Sequence, residues 1–184
     1  DEICTVARLL GASEDSVYLG ERATESKLKA LSAHGDLKRA RILHFATHGL
    51  LPDESEFGAE PALILTPPQQ ASEDDDGLLT ASEVAQLRLD ADWVVLSACN
   101  TAAGDQVGSQ SLSGLARAFF YAGSRALLVS HWYVDSHAAV ALTTGAFAAL
   151  KADPSSGRAE ALRQAMLALI DKGDRAHPAY WAPF

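Results

Sequence analysis

A chain of 184 residues with 48% hydrophobic and 21% charged residues has the length and make-up of one ordinary globular domain with a sizeable core. Its formal net charge of −9 argues against nucleic acid as the main partner, because phosphate binding needs a basic surface. No apolar run approaches membrane-spanning length and no signal peptide is visible, so neither a membrane nor a secretory route is expected.

Read in chain order, strand and helix patterns alternate. Cys4 lies in Glu2–Leu10, which has the apolar face of a helix, and reads as a buried, inert thiol. Val17–Leu19 is a short strand candidate, and Thr24–Ala33 a helix stopped near Gly35. Ile42–Thr47 is a continuous apolar strand, and Ala62–Leu65 a shorter one closed by Pro67 and Pro68. Residues 69–77, with Glu73, Asp74, Asp75 and Asp76 in a row, read as a mobile surface loop. Thr80-Ala81-Ser82-Glu83 is a capping-box pattern opening a helix through Leu87. Trp93–Ala98 is the central strand, followed by a Gly- and Ser-containing loop through Gln110. Leu112, Leu115, Ala116 and Phe119 recur at helical spacing, with Gly123 as the stop. Ala126–Ser130 is a further buried strand, Ser136–Leu150 a long Ala-rich helix, and Leu162, Ala165, Met166 and Leu169 mark the last helix. Tyr180–Phe184 reads as an interrupted strand. The order predicts an α/β fold with a mostly parallel sheet and helices on both faces.

Two of these strands stop at reactive side chains. Arg41–Gly49 ends with His48 followed by Gly49, and Trp93–Thr101 carries Cys99 just past its apolar run. In an open parallel sheet the carboxyl ends of strands share one edge, where ligands bind. A base and a thiol delivered there make a cysteine nucleophile system, with Cys99 attacking and His48 moving protons. The backbone N–H groups of Gly49 and Cys99 are candidates for stabilising an oxyanion. Taken singly, each residue has a plainer reading: a hydrogen-bonded loop histidine, and a small core thiol. His44 and His48 on one strand stand about 13 Å apart, too far for one metal ion. A zinc site from His48, Cys99 and His131, with His137 nearby, lacks paired ligand spacing, and no metal or other cofactor is expected. Two cysteines far apart point to a reducing, cytoplasmic setting rather than a disulfide framework. No Gly-x-Ser-x-Gly elbow and no phosphate-binding glycine loop occurs.

His44-Phe45-Ala46-Thr47-His48-Gly49 and Leu96-Ser97-Ala98-Cys99-Asn100-Thr101 resemble the CHAT domain, a caspase-like clan CD cysteine peptidase domain related to separase and often fused to tetratricopeptide repeats. The resemblance runs on through Gly20–Glu25, Asp76–Thr80, Gly114–Phe119, Ser130–Trp132 and His177–Phe184, nearly the whole chain, so residues 1–184 are expected to be one such domain. It implies a caspase-like three-layer α/β/α sandwich with a mostly parallel central sheet, and a His/Cys dyad at His48 and Cys99 with oxyanion donors at Gly49 and Cys99. It further implies a cysteine endopeptidase of a bacterial multidomain protein acting on a protein substrate. A tetratricopeptide-repeat segment of the same parent chain is then an expected partner. Lacking an initiator Met and starting in mid-pattern, the chain reads as a piece cut from something longer. Trp132-Tyr133-Val134-Asp135 resembles the separase segment in which an acidic residue selects a basic side chain before the cut bond. That implies a substrate-binding role for Asp135 and Trp132, against the simpler reading of Asp135 as a helix N-cap. Ser97 stands where some related peptidases carry an acidic residue. The alternative function is a catalytically silent interaction module of the same fold.

Overall fold

The computed structural model describes residues 2–50, 60–72, 74–97, 111–131, 134–173 and 175–184. It divides into two compact units, one of residues 18–133 and one joining 1–17 to 134–184.

In the unit of residues 18–133, strands β1 (Ile42–Phe45), β5 (Trp93–Leu96) and β6 (Leu127–Val129) form a parallel sheet in the order β1-β5-β6. Between β1 and β5 the chain makes a second, antiparallel sheet in the order β2-β3-β4, from β2 (Gly49–Leu50), β3 (Ala62–Ile64) and β4 (Leu78–Thr80). The parallel register pairs Leu43 with Val94 and Phe45 with Leu96, then Val94 with Leu127 and Leu96 with Val129. These six side chains share one face, because side chains alternate along a strand. That face packs against Leu28 and Leu31 of α2 (Glu25–Ala33), Val84 of α3 (Ala81–Gln86), and Leu115, Ala118, Phe119 and Ala122 of α4 (Ser111–Ala122). Phe119 is fully buried and meets Phe45 at 5.6 Å between ring centroids, tilted by 50°. Such tilted pairs add about 0.5–1.5 kcal/mol to the burial of the rings. The opposite face carries Ile42, His44, Trp93, Val95 and Leu128, of which Trp93, Val95 and Leu128 are buried.

The local signals act as their chemistry requires. Thr24 caps α2 through the N–H of Lys27. The Thr80 hydroxyl accepts from Glu83 N–H while the Glu83 carboxylate accepts from Thr80 N–H, a complete capping box. Gly123 ends α4 at φ +113, where a Cβ would fall 2.4 Å from the Leu89 carbonyl oxygen.

In the other unit α1 (Glu2–Leu10) is tied to α5 (Ser136–Ala152) by the Thr143 hydroxyl, which donates to Glu2 Oε1 at 2.7 Å. Leu142 and Ala146 of α5 pack on Ala165 and Leu169 of α6 (Gly157–Lys172), with Trp181 and Phe184 against them. Cys4 is half-buried on α1.

Three expectations are corrected. The ending is helical, not a strand: α7 (Pro178–Trp181) starts with Pro at its first turn and is capped by His177 Nδ1, which accepts from Ala179 N–H. Val17–Leu19 is not a strand and leads into a 3-10 turn at Gly20–Arg22. The acidic loop is tied down. Buried Glu25 accepts the N–H groups of Asp76 and Gly77 through Oε2, Lys29 Nζ donates to the Asp74 carbonyl at 2.7 Å, and Asp75 Oδ2 accepts from Ser26 N–H. Glu73 lies outside the described residues. Among the described residues, no helix is long and apolar enough to cross a membrane.

Candidate active site

β1 ends at Phe45 and β2 begins at Gly49, so Ala46, Thr47 and His48 carry the chain from the parallel sheet into the antiparallel one. Two hydrogen bonds to Ile64 hold this link. The Thr47 hydroxyl donates to the Ile64 carbonyl, and Ile64 N–H donates to the His48 carbonyl at 2.8 Å. His48 is exposed.

The Ile64-to-His48 bond also fixes the direction of the next amide. Gly49 pairs with Leu63, flanked by that bond, which makes them a non-hydrogen-bonded pair. The N–H of Gly49 therefore points away from β3. Among the described residues β2 is an edge strand of its sheet.

On the β5 side, Ser97 continues the ladder one step past the strand: its N–H donates to the Phe45 carbonyl at 3.0 Å. Its hydroxyl shares a hydrogen bond with His44 Nε2 at 3.1 Å and lies 3.5 Å from the Phe45 carbonyl oxygen. One arrangement satisfies both contacts, with Nε2–H donating to Oγ and the hydroxyl donating to the carbonyl. Sequence reasoning missed this link. It depends on the strand register that sets His44 and Ser97 on the same face of adjacent strands.

Cys99 and Trp132 lie outside the described residues. Asp135 is the N-cap of α5: its Oδ1 accepts from Ala138 N–H at 2.9 Å and lies 3.6 Å from Arg175 Nε. The capping reading thus accounts for one oxygen of this carboxylate. His131 and His137 are both exposed. No group of three or more His, Cys, Asp or Glu among the described residues is placed to hold a metal ion.

Within the unit of residues 18–133, two perturbed carboxyls gather around Lys29. Its ammonium contacts Glu25 Oε1 at 2.6 Å and Glu83 Oε1 at 2.8 Å. Burial raises the Glu25 carboxyl above its ordinary value. Burial also pushes Glu83 up, but hydrogen bonds from Lys29 and from the Thr80 N–H and hydroxyl outweigh it and leave that carboxyl below its ordinary value. This cluster holds α2, the acidic loop and the start of α3 together, so its role is structural.

Comparison with known proteins gives a consistent answer. The family model described as CHAT domain matches residues 1–184, the full chain. Tetratricopeptide repeat protein 28 of Mus musculus is 30% identical over 219 residues, a match covering 100% of this chain and 8% of that protein. The chain thus spans a small part of the curated relative it matches.

Proposed function

Because this chain belongs to the CHAT domain family, which is caspase-like and related to cysteine peptidases, we propose that it is a cysteine endopeptidase domain working through His48 and Cys99. The observation that carries the reading is the register of the parallel sheet. Every β1 residue from Ile42 to Phe45 faces the β5 residue 51 positions later, and the same offset relates His48 to Cys99. Both residues therefore follow the ends of adjacent parallel strands, three positions past Phe45 and Leu96 in sequence.

In the proposed reaction His48 takes the thiol proton as Cys99 Sγ attacks the scissile carbonyl carbon. The imidazolium then gives that proton to the leaving amine, and the acyl group remains as a thioester. Water, deprotonated by His48, attacks the thioester, and the thiol leaves with the proton restored. The outward N–H of Gly49 supports its role as an oxyanion donor, with the Cys99 N–H as the second. The substrate is a protein. Cleavage after a basic residue, with Asp135 as selector and Trp132 beside it, is the finer part of the proposal. A tetratricopeptide-repeat segment of the same parent chain is the proposed partner, supported by the name of the mouse relative.

The test is to label the protein with a peptidyl electrophile and map the modified residue by mass spectrometry. We expect the label on Cys99, none on Cys4, and loss of cleavage in Cys99→Ala. His48→Ala should slow turnover by about 10²–10⁴-fold. Cleavage retained by Cys99→Ala overturns the reading.

A further inference from the structure

We propose that His44 and Ser97 are positioning residues for the His48/Cys99 pair; this rests on the peptidase reading above. The hydrogen bond between their side chains, 3.1 Å from Nε2 to Oγ, crosses from β1 to β5 just where the regular ladder ends. Among the described residues the named strands pair no further than Phe45 and Leu96, yet the two proposed reactive residues come three positions later in sequence. Something must hold the two strand ends in register past that point. Among the described residues, backbone pairing contributes one bond there, from Ser97 N–H to the Phe45 carbonyl. The side-chain link adds a second cross-strand tie.

The placement is specific. His44 pairs with Val95, so His44, Val95 and Ser97 lie on one face, opposite the face packed by α2, α3 and α4. Ser97 is 9% exposed and His44 half-buried, so the bond is shielded from competing water and is worth more than a surface contact. Ser97 precedes Cys99 by two residues and His44 precedes His48 by four. A rotation or slip at either partner is therefore passed to the reactive residue by a few peptide units. Valine suits a strand at either position but would not make the tie. A hydroxyl that accepts from His44 and also reaches the Phe45 carbonyl at 3.5 Å fixes both strands at once.

The experiment reads thiol chemistry directly and does not depend on turnover. The rate of Cys99 alkylation by iodoacetamide is measured across pH, with the site mapped by mass spectrometry, in four proteins: wild type, His48→Ala, Ser97→Ala and the double variant. In wild type, removing His48 should slow alkylation near neutral pH. In the Ser97→Ala background the same removal should have an effect smaller by about tenfold, because the pair is already uncoupled. His44→Ala serves as the second variant should Ser97→Ala not fold, and Ser97→Thr, which keeps the hydroxyl, should restore the coupling. A merely structural role predicts lower melting temperatures with the His48 effect intact, and that outcome overturns the inference. An effect of His48→Ala equally absent from wild type overturns it too. Cleavage that survives Cys99→Ala sinks the peptidase reading itself and is seen in a separate assay.

Discussion

The carboxylate of Asp135 is the residue whose two readings differ most in what they predict. As the cap of α5 it needs only an oxygen that accepts from Ala138 N–H. Asparagine supplies one, so Asp135→Asn should leave the melting temperature close to wild type, whereas Asp135→Ala should lower stability by about 1 kcal/mol. A specificity role depends instead on charge. Peptide-library profiling of wild type and Asp135→Asn then separates the two: loss of an Arg or Lys preference in a protein that melts normally assigns selection to Asp135. A wild type preferring acidic or apolar residues before the cut removes that assignment. Arg175 already lies 3.6 Å from the same oxygen that caps the helix. A substrate cation would therefore have to be recognised in the presence of one that the protein itself supplies.

At the scale of elements, the Lys29 cluster joins α2 to the acidic loop and to the capping box of α3. Its two carboxylates respond to pH in opposite senses. Glu25, raised chiefly by burial, contributes stability that is present below the unfolded carboxyl value and is lost as pH rises through its raised value. Glu83, whose net shift is downward, contributes stability that is present above the unfolded value and is lost as pH falls through its lowered one. Removing the ammonium takes away a lowering influence from both. Lys29→Met should cost about 1–3 kcal/mol near neutral pH. The deficit relative to wild type should shrink as pH is lowered from about 7 to about 4, since both carboxyls can then enter the fold protonated. Urea melts of the two proteins at several pH values check this. A deficit that grows on acidification contradicts the assignment.

The longer elements were legible because they carry a period or a cap. The helix from Glu25, the capping box at Thr80 and the strands at Ile42 and Trp93 all appear where their patterns place them. β2 and β4, of two and three residues, are too short to show alternation, so the antiparallel sheet was invisible. Tyr180–Phe184 was misread because an apolar run cannot by itself separate strand from helix. Pro178 after a capping His177 was the sign that decided it. The acidic loop was misread because several of its anchors are main-chain N–H and C=O groups, which leave no mark on a side-chain pattern. The strand before His48 was legible, although it stops at Phe45 and not at Thr47. The His44–Ser97 tie needed the register of two strands, which only the folded chain supplies.

For the whole molecule, a formal charge of −9 sets a field that any charged substrate meets before it reaches the site. If a basic residue is selected, kcat/KM for an Arg-containing peptide should fall as ionic strength is raised from about 50 mM to about 500 mM, over which the screening length shortens severalfold. A neutral peptide of the same length should respond much less. An equal response from both would mean that the acidic surface takes no part in substrate capture.

The anchoring of residues 74–77 also bears on how this sequence can drift. Glu25 grips amides, which every residue type at 76 and 77 except proline offers, and Lys29 grips the carbonyl of Asp74, which every residue offers. Glu25 itself, buried with its carboxyl group on both amides, has no such latitude. Nor has Gly77, at φ +86, where a Cβ would come 2.9 Å from the Pro67 Cα. Selection should therefore hold Glu25 and Gly77 while letting the charge at 74 wander. Asp74→Ser is expected to leave the melting temperature unchanged, and a marked drop would show that the carboxylate, not the carbonyl, is what the fold requires. At position 74 the surface can be rewritten for a new partner without renegotiating the fold beneath it.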